Sequence, residues 1–92
     1  MFVIQATSVP RRPAHLAWQE VAGEAVVLDT KAHVLRGLNT TGARVWDLID
    51  GARTVGDIAA TLAAERRREP GEVLADVTRF VETLLEKGLI EI

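Results

Sequence analysis

Apolar residues change their spacing twice along the chain, and each change predicts a new kind of element. From Trp18 to Asp29 the sequence is rich in Val and Ala and is broken at Gly23-Glu24, which predicts two short strands over 17–22 and 24–29 joined by a turn. Asp29-Thr30-Lys31 is polar and turn-forming. The following His33-Val34-Leu35-Arg36-Gly37-Leu38 alternates as a third strand over 32–38, paired with 24–29. Val34, Arg36 and Leu38 share one face of that strand, and His33, Leu35 and Gly37 share the other. Residues 1–15, with Pro10, Arg11-Arg12 and Pro13, hold no sustained period and read as an arm that is loose or only partly strand-like.

Beyond residue 39 the period is helical. Asn39-Thr40-Thr41 supplies N-cap oxygens, Val45, Trp46, Leu48 and Ile49 form a broad apolar face, and Asp50-Gly51 stops a first helix over about 41–50. Thr54 with Asp57 resembles a capping box that opens a second helix over 55–66. Pro70 suits the first turn of a third helix over 71–87, where Val73, Val77, Phe80, Val81, Leu84 and Leu85 recur at three- and four-residue steps up to Gly88. Leu89-Ile90-Glu91-Ile92 reads as a closing strand or an extended packed end. The expectation is an α+β fold, a three-stranded antiparallel sheet followed by three helices, resembling a winged helix-turn-helix with the sheet placed first. Trp18, Trp46 and Phe80 join the aliphatic residues as its expected core.

Length and composition narrow the function more than the fold. Ninety-two residues that are 48% hydrophobic and 26% charged suit one domain, residues 16–92, behind the arm of 1–15. The absence of cysteine excludes disulfides, thiolate nucleophiles and Cys-built metal sites, and suits a cytoplasmic location. A net charge of -2 speaks against nucleic acid as a partner, as do Glu72, Asp76, Glu82 and Glu86 on the third helix. The run Arg66-Arg67-Arg68 is accounted for as cations complementing a helix C-terminus. No apolar run is long enough to cross a membrane, and the first residues lack the charged and apolar regions of a signal peptide.

Candidate chemistry is sparse. His15 and His33 are not spaced as metal ligands, Asp47 and Asp50 suit a solvated face and a turn, and the single glycines form no phosphate loop. Neither catalysis nor a bound metal or organic cofactor is expected.

One ordered series of residues goes further. Glu24-Ala25-Val26-Val27-Leu28-Asp29, then Leu38 to Gly51 (LNTTGARVWDLIDG), Arg53-Thr54-Val55, Asp57-Ile58 and Asp76-Val77 with Phe80 and Leu84, resembles the coenzyme PQQ synthesis protein D family from about Trp18 to Ile90. The resemblance implies a small non-catalytic domain, a RiPP recognition element, that holds the leader segment of a precursor peptide for a tailoring enzyme such as a radical-SAM protein. It also implies that the peptide adds as a strand beside residues 32–38, against 72–86. Strand addition satisfies the free backbone groups of a sheet edge, and neighbouring pockets supply selectivity. Val34, Leu35, Val73, Val77 and Phe80 are then the candidate apolar lining, Arg36, Asp76 and Arg79 the candidate polar contacts, with His33 and Gly37 completing the strand. Core packing competes as an explanation for Val77, Phe80 and Leu35, and is the only one for Leu38, Val45, Trp46 and Ile58. Asn39 reads as a cap in preference to a contact, and Gly51 as a left-handed stop. Arg36 stands where the family often has an aromatic residue, and a cation there favours an acidic leader. Two rivals stay open at this level: a winged-helix DNA binder, and a structural subunit that forms a homodimer through the same exposed strand.

Overall fold

A computed structural model describes residues 4–92; the first three residues of the arm lie outside the described residues. Strands β1 (Leu16–Val21), β2 (Glu24–Asp29) and β3 (Val34–Leu38) form one antiparallel sheet in the order β1-β2-β3. Helices α1 (Thr40–Leu48), α2 (Val55–Arg66) and α3 (Pro70–Glu86) follow, giving the α+β fold expected. Ala22 and Gly23, both at positive φ, make the two-residue turn between β1 and β2, the backbone twist that such hairpins favour.

Strand β3 starts two residues later than the sequence pattern suggests. The carboxylate of Asp29 accepts from the N–H groups of Lys31 and Ala32, both at 3.0 Å, so these residues belong to a turn. His33 then takes φ +56°, which removes it from the strand. Helix α1 likewise ends at Leu48, two residues short of the Asp50-Gly51 stop. Ile49 is extended, and Asp50 accepts from Ala52 and Arg53 to build the next turn, with Gly51 at φ +79° inside it. The Thr54–Asp57 capping box is formed in both directions at 3.0 Å. Pro70 occupies the first turn of α3, behind Glu69, whose carboxylate caps Gly71 and Glu72. The C-terminus of α3 is a Schellman turn, with Gly88 at φ +72° and the N–H of Leu89 donating to the Leu84 carbonyl at 2.9 Å.

One face of the sheet is covered by helices. Ala25 and Val27 of β2 are buried beneath α1, while Val26 and Leu28 look outward. Trp46, Ile49, Val55, Ile58, Leu62, Val81 and Leu89 are the centre of the core, and α2 packs along α3. Arg44 ties α1 to α2 through a two-pronged pair with Glu65, at 3.1 and 2.6 Å, while also holding Asp47 at 2.9 Å.

Two expectations need correction. Trp18 is not core: it sits on an edge strand and is 42% exposed, meeting Trp46 edge-on at 5.8 Å with the Arg12 guanidinium 4.4 Å from its ring centre. Among the described residues, from Ile4 on, the arm is not loose either. Carbonyls of Ala6 and Ser8 accept from Gly56 and Val55, two of the first-turn N–H groups of α2 that no helical carbonyl can reach. Arg11 bridges Glu91 with reciprocal hydrogen bonds of 2.8 Å, which makes the arm strand-like at that one point and pins the extended C-terminal end.

Candidate functional site

Strand β3 lies at an edge of the sheet, paired on one side with β2 and on the other with nothing among the described residues. Its backbone therefore keeps N–H and C=O groups free for another strand. The pleat divides its side chains as expected. Val34 and Arg36, partly buried, and Leu38, buried, turn toward the helices; Leu35 is 68% exposed and shares the outer face with Gly37, Val26 and Leu28. Among the described residues nothing lies within 4 Å of a Cβ at Gly37, so the outer face keeps an open notch there.

Beyond Leu38 the chain passes directly into the rim of a cavity of about 230 Å³ between α1, α2 and α3. Its apolar wall is Val45, Leu62, Val73, Val77 and Phe80. Four of the ten residues named from sequence thus come together here, Val73, Asp76, Val77 and Phe80. The wall follows from the three- and four-residue spacing on α3: Val73 and Val77 are buried, and Phe80, one turn on, is only partly covered. Asn39 at the rim caps α1, its Oδ1 accepting from the N–H of Gly42 at 2.9 Å, while its side chain also lines the opening. Gly42 matters by what it lacks, since Phe80 rests where a Cβ would project.

Charge is distributed unevenly around this opening. Asp76 is engaged by Arg79 on its own helix and by Arg68 at 3.4 Å, and Arg68 also reaches Glu72 at 3.7 Å. Arg79 is exposed and does not line the cavity, so of the two polar residues named on α3 only Asp76 does. Arg36 makes no ion pair among the described residues. His33 stands apart in its left-handed turn, and Leu35 and Gly37 face away from the helices. Four of the ten residues therefore lie on the strand edge, four line the adjoining cavity, and His33 and Arg79 belong to neither.

Sequence reasoning found four of the eleven residues that line that cavity; Asn39 and Val45 read as cap and core. Thr41, Gly42, Leu62, Arg66 and Arg68 line it, and none was named as a site residue. Leu62 recurs four residues after Ile58 on α2, a spacing that suits an apolar stripe but does not say which end of α2 meets α3. Arg66-Arg67-Arg68 was visible as a run, and the turn after α2, with Arg67 left-handed at φ +52°, is what brings its first and third members to the opening.

The family model described as coenzyme PQQ synthesis protein D matches residues 24–90. A "PqqA binding protein" of Stutzerimonas stutzeri (strain A1501) is 35% identical over 94 residues, covering 100% of this chain and 99% of that protein. A second, from Kluyvera intermedia, is 32% identical over 81 residues, 88% of this chain and 85% of the relative. Two solved structures share the fold at a TM-score of 0.82. TbiB1 in complex with the TbiA(beta) leader peptide is 23% identical over 88% of this chain and 94% of that one. The solution structure of the PqqD truncation of Methylobacterium extorquens PqqCD, a stand-alone RiPP recognition element, is 24% identical over 98% of this chain and 96% of that one.

Proposed function

The chain belongs to the coenzyme PQQ synthesis protein D family, and on that footing we propose that it is a non-catalytic adaptor for a precursor peptide. It captures the leader segment by strand addition along β3 and presents the rest of the peptide to a tailoring enzyme. The observation that carries this reading is the junction at Asn39, where a free sheet edge runs into a cavity walled by α3. A strand laid beside β3 gains backbone hydrogen bonds along its length and a side-chain socket at one end, so affinity and selectivity come from different parts of one surface. The edge of β1 instead adjoins a more open hollow of about 500 Å³ that the arm, Leu16, Trp18 and the turn at Ile49-Asp50-Gly51 line and to which α3 contributes no residue.

Alternation on β3 defines what a partner strand must look like. Side chains opposite Val34 and Arg36 point toward the helices, and those opposite Leu35 and Gly37 point to the outer face, where Val26, Leu28 and Leu35 await apolar cover. The partner is thus apolar on the outer face and suited to an acidic residue where it meets Arg36. The 35% identical relative is named for binding PqqA, which makes the PqqA precursor of Stutzerimonas stutzeri a suitable probe. Titrating it into isotopically labelled protein should move the amide signals of 34–38 and of 72–83 most. Large changes confined to α2, with those two segments silent, would sink the proposal.

A further inference from the structure

Resting on the peptide-binding reading above, we propose that Arg66 and Arg68 make the α1–α2–α3 cavity a subsite for an apolar anchor residue with an Asp or Glu two positions from it in the leader. Three observations meet here. At about 230 Å³ the cavity is smaller than the roughly 300–1,000 Å³ that whole small molecules occupy, and its walls of Val45, Leu62, Val73, Val77 and Phe80 suit a buried side chain. Its lining carries two cations, Arg66 and Arg68, against one anion, Asp76.

The third observation is how those charges are already committed. Asp76 is held by Arg79 from outside the cavity and by Arg68 from within its lining, so its charge is answered on two sides. Glu72 meets Arg68 only at 3.7 Å. Glu65, beside Arg66 in sequence, is taken by Arg44 in a two-pronged pair. Arg66 itself makes no ion pair among the described residues. Arg66, lining an apolar socket and without an ion pair among the described residues, is a receptor for a carboxylate, and Arg68, shared loosely between Asp76 and Glu72, adds to the positive field there. The chain as a whole is acidic, with a net charge of -2, so this attraction is local to the cavity. Successive residues of an extended peptide advance about 3.3 Å, and those two apart share a face, so a carboxylate two positions from the anchor lies at the mouth when the anchor is seated.

Calorimetric titration with the Stutzerimonas stutzeri PqqA precursor tests this, using the full chain and three charge reversals, Arg66→Glu, Arg68→Glu and Arg67→Glu. Arg67 belongs to the same run but does not line the cavity, which makes it the control. All three positions are exposed, and melting curves confirm that each variant is folded. Reversal at Arg66 or Arg68 should weaken binding on the order of tenfold at low salt, with the loss shrinking as salt is raised, while Arg67→Glu changes it less than about twofold. Replacing the responsible Asp or Glu of the peptide by its amide should abolish the difference between wild type and Arg66→Glu. Equal effects at all three positions, or a penalty that survives every acid-to-amide change in the peptide, would overturn the subsite while leaving strand addition intact. Failure of the wild-type chain to bind at all would instead overturn the peptide-binding reading, and the subsite with it.

Discussion

Phe80 lies across the first turn of α1 so closely that a Cβ built on Gly42 would stand 3.1 Å from its Cζ. The glycine is therefore a packing requirement of the cavity wall, in a helix where it costs about 1 kcal/mol relative to alanine. Gly42→Ala should leave stability nearly unchanged, because the helix gain offsets the crowding, yet lower peptide affinity by displacing Phe80. Combining it with Phe80→Ala should be non-additive in binding, since removing the ring removes the clash. Additive losses would show that the two residues act apart.

Trp46 is fully buried, and its indole Nε1 has no hydrogen-bond partner among the described residues, so its contribution is packing. Trp46→Ala should cost about 3–5 kcal/mol in denaturant unfolding. Trp46→Phe gives up no hydrogen bond and should cost clearly less. A Trp46→Ala variant that melts like wild type while losing the peptide would move this residue from the core to the site.

Element types and the caps were legible in the sequence because they are local. Period two, period 3.6, the Thr54–Asp57 box and Pro70 each act over a few residues, and their partners are within reach of one turn. What escaped was set by distant groups. Trp18 has the character of a core residue, but β1 is an edge strand, and Arg12 and Trp46 cover its ring only in part. The proline-bearing arm is held by N–H groups of α2 and by Glu91, some 50 to 80 positions away. On the site, α3's face was readable from its own spacing, whereas the contribution of Arg66 and Arg68 required knowing how the α2–α3 turn folds back.

Acid should destabilise this fold in a definite window. The Asp29 carboxyl is held below its usual 3.8, chiefly by the N–H of Ala32, with partial burial opposing and Lys31 adding to the effect. Backbone donors likewise lower Asp50 and Glu69, and Arg44 lowers Glu65. A depressed folded pKa stabilises the protein above the unfolded value and loses that contribution as pH falls through the folded one. Stability should thus be flat near neutrality and fall below about pH 4. Asp29→Asn keeps an acceptor for Lys31 and Ala32 but has no proton to take up, so its acid limb should be shallower; an unchanged limb would remove Asp29 from the account.

Strand addition makes a prediction that packing against a flat surface does not. Antiparallel pairing directs the N–H of alternate β3 residues either toward β2 or toward the free edge. Proline deletes the N–H, so single prolines at 34, 35, 36 and 37 should fall into two classes. Where the N–H points at β2, a ladder bond is lost and unfolding should become easier by about 0.5–1.5 kcal/mol or more. Where it points outward, stability should hold while the peptide loses a main-chain partner and binds several-fold to tenfold more weakly, about 1.4 kcal/mol per tenfold. The two profiles should be out of phase: melting temperature dips at one parity and affinity at the other. Measuring both on the same four variants separates a damaged sheet from a damaged edge. Losses of affinity that track the losses of stability position by position would mean that the peptide does not pair with β3 and that its contacts lie on the side chains alone.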